Sequence, residues 1–145
     1  MSYFRRLDDT VSASPQITIE DIALAKAMGV GLIINNRPEG ESPDQTPGDA
    51  IKRAATEAGI DYLAIPIGHS GFSHAQIAVM AEALSGAEGQ VLAYCRSGTR
   101  STLLWALAEA MRGKKPEDLA EAAAHAGYDL APIRAMVDML AAQNS

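Results

Sequence analysis

Cysteine is almost absent from this chain, with one residue at position 95. One thiol excludes an internal disulfide, and with it the stapled architecture of small secreted domains, so a reducing cytoplasm is the expected setting. Histidine is nearly as scarce. His69, His74 and His125 have no metal-ligand spacing and no cysteine pair beside them, so the sequence calls for no metal and no cofactor. No stretch approaches the ~20 consecutive apolar residues that span a bilayer. The opening Met1-Ser-Tyr-Phe-Arg-Arg6 also lacks the apolar centre of a secretory signal. Basic residues are outnumbered, 12 Lys and Arg against 18 Asp and Glu, for a net charge of −6. That balance argues against nucleic acid or an anionic membrane as a partner, although a local basic pocket would still attract small anions. Gly113-Lys114-Lys115 lacks the upstream glycine of a nucleotide-binding phosphate loop.

What is present reads as a globular α/β domain. Apolar residues make up 48% and charged ones 21%, and 145 residues suffice for one domain, 1–145, with a real core. The pattern predicts strands at 3–7, 11–14, 30–34, 61–67 and 91–94. The run at 30–34 is nearly continuous in apolar residues, as expected of a strand covered on both faces of a parallel sheet. Helices are predicted between the strands and in the tail. The first is capped by Thr18 with Asp21 three residues on, carries Ile19, Ile22 and Ala23 on one side, and stops at Gly29. The second spans about 46–58, with Pro47 in its first turn. Ser73 caps a third, striped by Ile77, Met80, Ala81 and Leu84. Two more are expected at 116–126 and 132–142.

One stretch organises the rest. Val91-Leu-Ala-Tyr-Cys95-Arg-Ser-Gly-Thr-Arg100-Ser101 reads as strand, tight loop and helix. From Ser101 onward Leu104, Leu107, Ala108 and Met111 fall at i, i+3, i+4 and i+7, an amphipathic stripe. Ligands of an α/β sheet bind outside the carboxyl ends of its strands, which is where this thiol sits. Unsatisfied amides at a helix N-terminus favour an anion. Gly98 lets the loop curl them inward. Arg96 and Arg100 add full charges suited to an oxyanion. Together these predict a thiolate, with the thiol displaced below its free value of about 8.5. The candidate nucleophile is Cys95, with Arg100 as its catalytic partner. Arg96, Ser97, Gly98, Thr99 and Ser101 would hold the substrate anion. Two further loops reach the same edge. Residues 35–45 contribute Asn36 and Arg37 as candidate binding groups, the other charges there being expected in solvent; residues 68–72 contribute His69.

Spacing separates two chemistries. Cysteine phosphatases of the tyrosine and dual-specificity type place five residues between cysteine and arginine; here Arg96 to Thr99 intervene, and Tyr94 precedes the thiol. Tyr-Cys-Arg-Ser-Gly-Thr-Arg-Ser resembles the active-site loop of single-domain rhodaneses, and a smaller ring of amides suits a sulfane sulfur. Three separated segments also resemble one bacterial family: Ile-Thr-Ile-Glu-Asp-Ile-Ala (17–23), Ile-Ile-Asn-Asn-Arg-Pro-Glu-Gly-Glu (33–41) and Leu-Ala-Tyr-Cys-Arg-Ser-Gly-Thr-Arg-Ser-Thr (92–102). This is the phosphatase-like, sulfurtransferase-type domain of the beta-lactamase-hydrolase-like proteins. The resemblance implies a dual-specificity-phosphatase-like fold, with a central, mostly parallel sheet and helices on both faces. It also implies a persulfide dioxygenase as a partner, since the domain occurs alone or fused to one.

Phosphatases of that fold use an aspartic acid on a neighbouring loop to protonate the leaving oxygen. The corresponding Pro66-Ile-Gly-His-Ser-Gly-Phe72 contains no carboxylate, and His69, with an ordinary pKa of about 6.5, is a partial substitute. The expected activity is therefore sulfur transfer through a Cys95 persulfide, from a small anionic sulfur donor to a thiol acceptor. Phosphoester hydrolysis is the alternative, and a non-catalytic anion- or partner-binding module is the third reading.

Overall fold

Residues 3–144 are described by the computed structural model. In chain order they form β1 (Arg5–Arg6), β2 (Val11–Ser14), α1 (Ile19–Ala27), β3 (Val30–Asn35), α2 (Gly48–Glu57) and β4 (Asp61–Ala64). Then follow α3 (His74–Gly86), β5 (Gln90–Tyr94), α4 (Thr99–Met111), α5 (Pro116–His125), a 3₁₀ turn (Ala131–Ile133) and α6 (Arg134–Gln143). The strand order is β1-β2-β5-β3-β4, antiparallel only between β1 and β2.

Register decides where the thiol lies. Ser14 of β2, Tyr94 of β5 and Asn35 of β3 stand level, and Asn35 pairs onward with Ala64 of β4. The next residue of each strand therefore emerges at one edge, with Cys95 flanked by Pro15 and Asn36. The ladder continues one step beyond the strands: the Cys95 amide donates to Ser14 O at 3.3 Å and the Asn36 amide to Tyr94 O at 2.8 Å.

Alternation of side chains sends successive residues of each strand to opposite faces. Ile33, Leu92 and Tyr94 face α1 and α2, where Ile22, Ala25, Ile51 and Ala55 cover them. Ile34, Val91 and Ala93 face α3 to α6. The four-helix side is the thicker one, and α4 lies at its centre. Every residue from Ser101 to Ala110 is buried, Trp105 and Leu104 almost completely. Full burial of such side chains contributes roughly 1.5–3 kcal/mol each. The expected stripe on α4 is thus corrected to a helix covered all round, because α3, α5 and α6 enclose the side that a two-layer packing would leave in water.

Other boundaries shift for local reasons. The strand expected at 3–7 shrinks to Arg5–Arg6, since Asp8 Oδ1 accepts from the Thr10 and Val11 amides at 2.8 and 2.7 Å and turns the chain early. Helix α2 begins at Gly48 and ends at Glu57, because Pro47 is extended (φ −60°, ψ 142°) and serves as its N-cap. The strand expected at 61–67 is regular only to Ala64. Pro66 has no N–H to give, although the Ile65 and Ile67 amides still reach Asn35 O and Asn36 O at 2.9 and 3.0 Å. On α1 the buried residues are Ile22 and Ala25, whereas Ile19 and Ala23 are exposed. The tail helix expected from 132 begins as the 3₁₀ turn and becomes α-helical at Arg134, with Ile133, Val137 and Leu140 buried. The Thr18 cap stands as expected, its amide donating to Asp21 Oδ2 at 2.8 Å. Ser73 likewise accepts from the Gln76 amide at 3.1 Å.

Candidate active site

The chain leaves β5 at Cys95 and enters α4 at Thr99, two residues earlier than the sequence pattern suggests. Gly98 makes the short connection possible. Its φ of +91° lies in the left-handed region, and a Cβ there would collide with the Tyr128 hydroxyl. The curl points the Gly98 amide at Cys95, N to Sγ 3.1 Å. Cys95 itself is fully buried in the floor of the loop. The first turn of α4 is closed by Thr102, whose amide and Oγ1 both reach Gly98 O, at 3.0 and 2.9 Å.

Arg100 sits one residue into α4 and turns back over the site. Its Nη1 and Nη2 grip the two carboxylate oxygens of Glu41 at 2.8 Å each, and Nη1 also donates to Ile67 O at 2.8 Å. The bond from Arg100 holds the Glu41 carboxyl at about 2, well below the usual carboxylate range, with Arg37 contributing and partial burial opposing. Arg100 is held more firmly protonated in return, first by Glu41 and then by the neighbouring Cys95 sulfur. The fork that sequence analysis assigns to an oxyanion therefore rests on a carboxylate.

Arg37 is held within the fold by the long loop. It is buried, and its Nε, Nη1 and Nη2 donate to Glu41 Oε1, Gln16 Oε1 and Ser42 Oγ at 2.9, 3.0 and 3.0 Å. Asn36 is likewise spent inside the fold. Its Nδ2 donates to Ile65 O at 2.9 Å, and its Oδ1 accepts from Ser101 Oγ at 2.7 Å. The two buried side chains tie β3, the 65–67 segment and the start of α4 together beneath the loop.

The remaining candidates surround the mouth. Arg96 and His69 are exposed, and with Glu41, Gly68 and Arg100 they line a cavity of about 370 Å³. Ser97 and Thr99 are exposed on the loop, joined through their hydroxyls at 3.0 Å. The structure thus brings Cys95, Arg96, Ser97, Gly98, Thr99, Arg100 and His69 to one place, and sets Asn36, Arg37 and Ser101 behind it. Among the described residues, no group of three or more His, Cys, Asp or Glu is placed to hold a metal ion.

Two residues of the site escape sequence reasoning. Glu41 belongs to a loop whose charges are expected in solvent, and nothing in the spacing distinguishes it from Glu39. Tyr128, whose hydroxyl donates to Ser97 O at 3.1 Å, lies between α5 and α6 with no local motif around it.

Residues 3–112 match the phosphatase-like domain of the beta-lactamase hydrolase-like protein. A beta-lactamase hydrolase-like protein of Xylella fastidiosa is 36% identical over 125 residues, which is 86% of this chain. This chain spans 29% of that relative's length. A candidate phosphatase from Neisseria meningitidis superposes with a TM-score of 0.84 at 30% identity, covering 97% of this chain and 99% of the other. A second, from Shewanella putrefaciens, superposes at 0.78 with 20% identity, covering 100% and 95%, and speaks to the fold alone. The fold is that of the dual-specificity and tyrosine phosphatase-like proteins. With its sequence match extending from the first strand to the end of the buried helix, the chain belongs to the phosphatase-like domain family of the beta-lactamase hydrolase-like proteins.

Proposed function

We propose that the chain is a cysteine-dependent phosphoester hydrolase in which Cys95 is the nucleophile. The observation that carries this reading is the pairing of the Gly98 amide with Cys95 Sγ under an arginine anchored by Glu41. A thiolate is the reactive form of a cysteine nucleophile, and the Gly98 amide and the Arg100 guanidinium both stand beside this sulfur. In the first step the S–P bond forms and the P–O bond to the leaving group breaks. Water then attacks phosphorus, the S–P bond breaks, and inorganic phosphate leaves. The phosphatase-like family and the Neisseria neighbour support this assignment over the sulfur chemistry that the loop spacing suggests.

The residues around the mouth narrow the substrate. Loop 66–72 supplies no carboxylate, and Glu41, held at about 2, is ionised at neutral pH and cannot give a proton. Leaving groups that depart without a proton, such as phenolates, are therefore favoured over alkoxides. An aryl phosphate assay tests the proposal: turnover should be measurable in the wild type and lost in Cys95→Ser. Persistence of turnover in that variant would sink it.

A second reading, sulfur transfer, draws on the same missing acid and on the four-residue spacing. Here the Cys95 thiolate attacks the outer sulfur of thiosulfate, the S–S bond breaks, and sulfite leaves. The persulfide then passes its outer sulfur to a thiol or to cyanide. A persulfide dioxygenase would be a fitting partner for this chemistry. Exposure to thiosulfate should add the mass of one sulfur atom to Cys95 if this reading holds. Aryl phosphate turnover without such an adduct favours the first reading, and the adduct without turnover favours the second.

A further inference from the structure

The peptide between Ser97 and Gly98 is held from both ends. Its N–H points at Cys95 Sγ, and its C=O accepts the Tyr128 hydroxyl on the other side. In a trans peptide these two groups point in opposite directions, so fixing one fixes the other. Rotation of this peptide would withdraw the N–H from the sulfur and bring a carbonyl oxygen toward it. A thiolate favours the first arrangement and opposes the second. Nothing else in the loop grips the Ser97 carbonyl among the described residues, while the following carbonyl, Gly98 O, is already taken by Thr102.

Tyr128 is itself well anchored. Its amide donates to Ala123 O at 2.8 Å after the turn at Gly127. Arg5 sits over its ring, 5.7 Å from the centroid, and donates to Ala126 O at 2.9 Å. Burial holds the phenol above its usual pKa, so the hydroxyl keeps its proton to donate. Gly98 completes the fit, because a side chain there would strike the Tyr128 oxygen. The tyrosine lies beyond the residues 3–112 that define the family match.

We infer that Tyr128 is a positioning residue for Cys95, locking the 97–98 peptide so that its N–H faces the thiolate. The inference rests on Cys95 being the nucleophile, whichever atom it attacks. Tyr128→Phe removes one oxygen and keeps the ring against Arg5, so the fold should hold, which a thermal melt verifies.

The test is the rate of Cys95 alkylation by iodoacetamide in the full chain, at about pH 6 and about pH 9. At the lower pH the rate reports how much thiolate the site sustains, and Tyr128→Phe should slow it about fivefold, as loss of one supporting hydrogen bond would. At the higher pH the two proteins should react alike. Faster alkylation of the variant at both pH values would show mere loosening of the loop and overturn the inference. Equal rates at the lower pH would overturn it too. A wild-type thiol inert when folded but reactive in urea would bring down the nucleophile assignment along with it, whereas a reactive wild type with an unchanged variant defeats this inference alone.

Discussion

The connection from β5 to α4 and the connection from β3 to α2 leave adjacent parallel strands at the same edge, yet they are held differently. Residues 95–98 are shaped by backbone: a left-handed glycine, an amide on sulfur, and Thr102 closing the helix start. Residues 36–47 are shaped by side chains. Arg37 gathers Glu41, Gln16 and Ser42; Gln45 bonds Pro38 O and the Glu41 amide at 3.0 and 2.9 Å; Glu39 accepts from the Gly48 amide at 2.9 Å. The short loop holds the thiol and the long one fixes the arginine beside it. A compact thiol loop can thus be encoded locally while the cation beside it is aimed from far along the chain.

The comparison breaks most visibly at the joint between the loops. Asn36→Ala strands the Ser101 hydroxyl and Ile65 O in the interior, where each has a partner now. Loss of two buried hydrogen bonds should cost about 3 kcal/mol in urea unfolding. A loss under about 1 kcal/mol would mean that the joint does not hold the loops together.

Gly98→Ala attacks the short loop through its backbone. A side chain at φ +91°, pressed against Tyr128, should cost about 2 kcal/mol and slow Cys95 alkylation at neutral pH. If the variant were as stable and as reactive as wild type, the loop would not be backbone-limited.

Glu41→Gln attacks the long loop through its charge, and its effect should follow pH. The folded carboxyl lies at about 2 against an ordinary 4.5, so the ionised form is the one that stabilises. Its contribution is full above pH 4.5 and lost as pH falls toward about 2. Near neutral pH the wild type should exceed the variant by on the order of 1 kcal/mol, since a partly solvated pair yields little net stability. Urea midpoints measured across that window should converge in acid; a gap that widened there would reverse the assigned direction. Aryl phosphate turnover should fall roughly tenfold with the loosened Arg100.

His69→Ala should do least. The residue is exposed at the mouth, so stability should change by no more than about 0.5 kcal/mol. Aryl phosphate turnover should drop by no more than about twofold, because a phenolate needs little help to leave. A tenfold loss would instead make His69 the proton donor that the 66–72 loop otherwise lacks.

Several features were legible from composition and pattern alone. The apolar run at 30–34 marked a two-sided strand, and Cys-Arg-Ser-Gly-Thr-Arg marked a tight strand-to-helix connection, since each signal is confined to a few neighbouring residues. Capping at Thr18 and Ser73 was readable for the same reason. Local signals ended there. Glu41 reaches Arg100 across 59 positions and Tyr128 reaches Ser97 across 31, and no periodicity carries information over such gaps. The stripe on α4 pointed to one buried face, but the number of helices packed round it decided that every face is covered. Arg37 stood out because a cation followed a strand end; only the folded loop revealed that its guanidinium binds Glu41, Gln16 and Ser42. Sequence by itself marked the candidate nucleophile, because cysteine, glycine and helix start fall within a few residues of one another. The tertiary structure decided what aims the charge beside it, because strand register brings a distant carboxylate within 2.8 Å of the guanidinium.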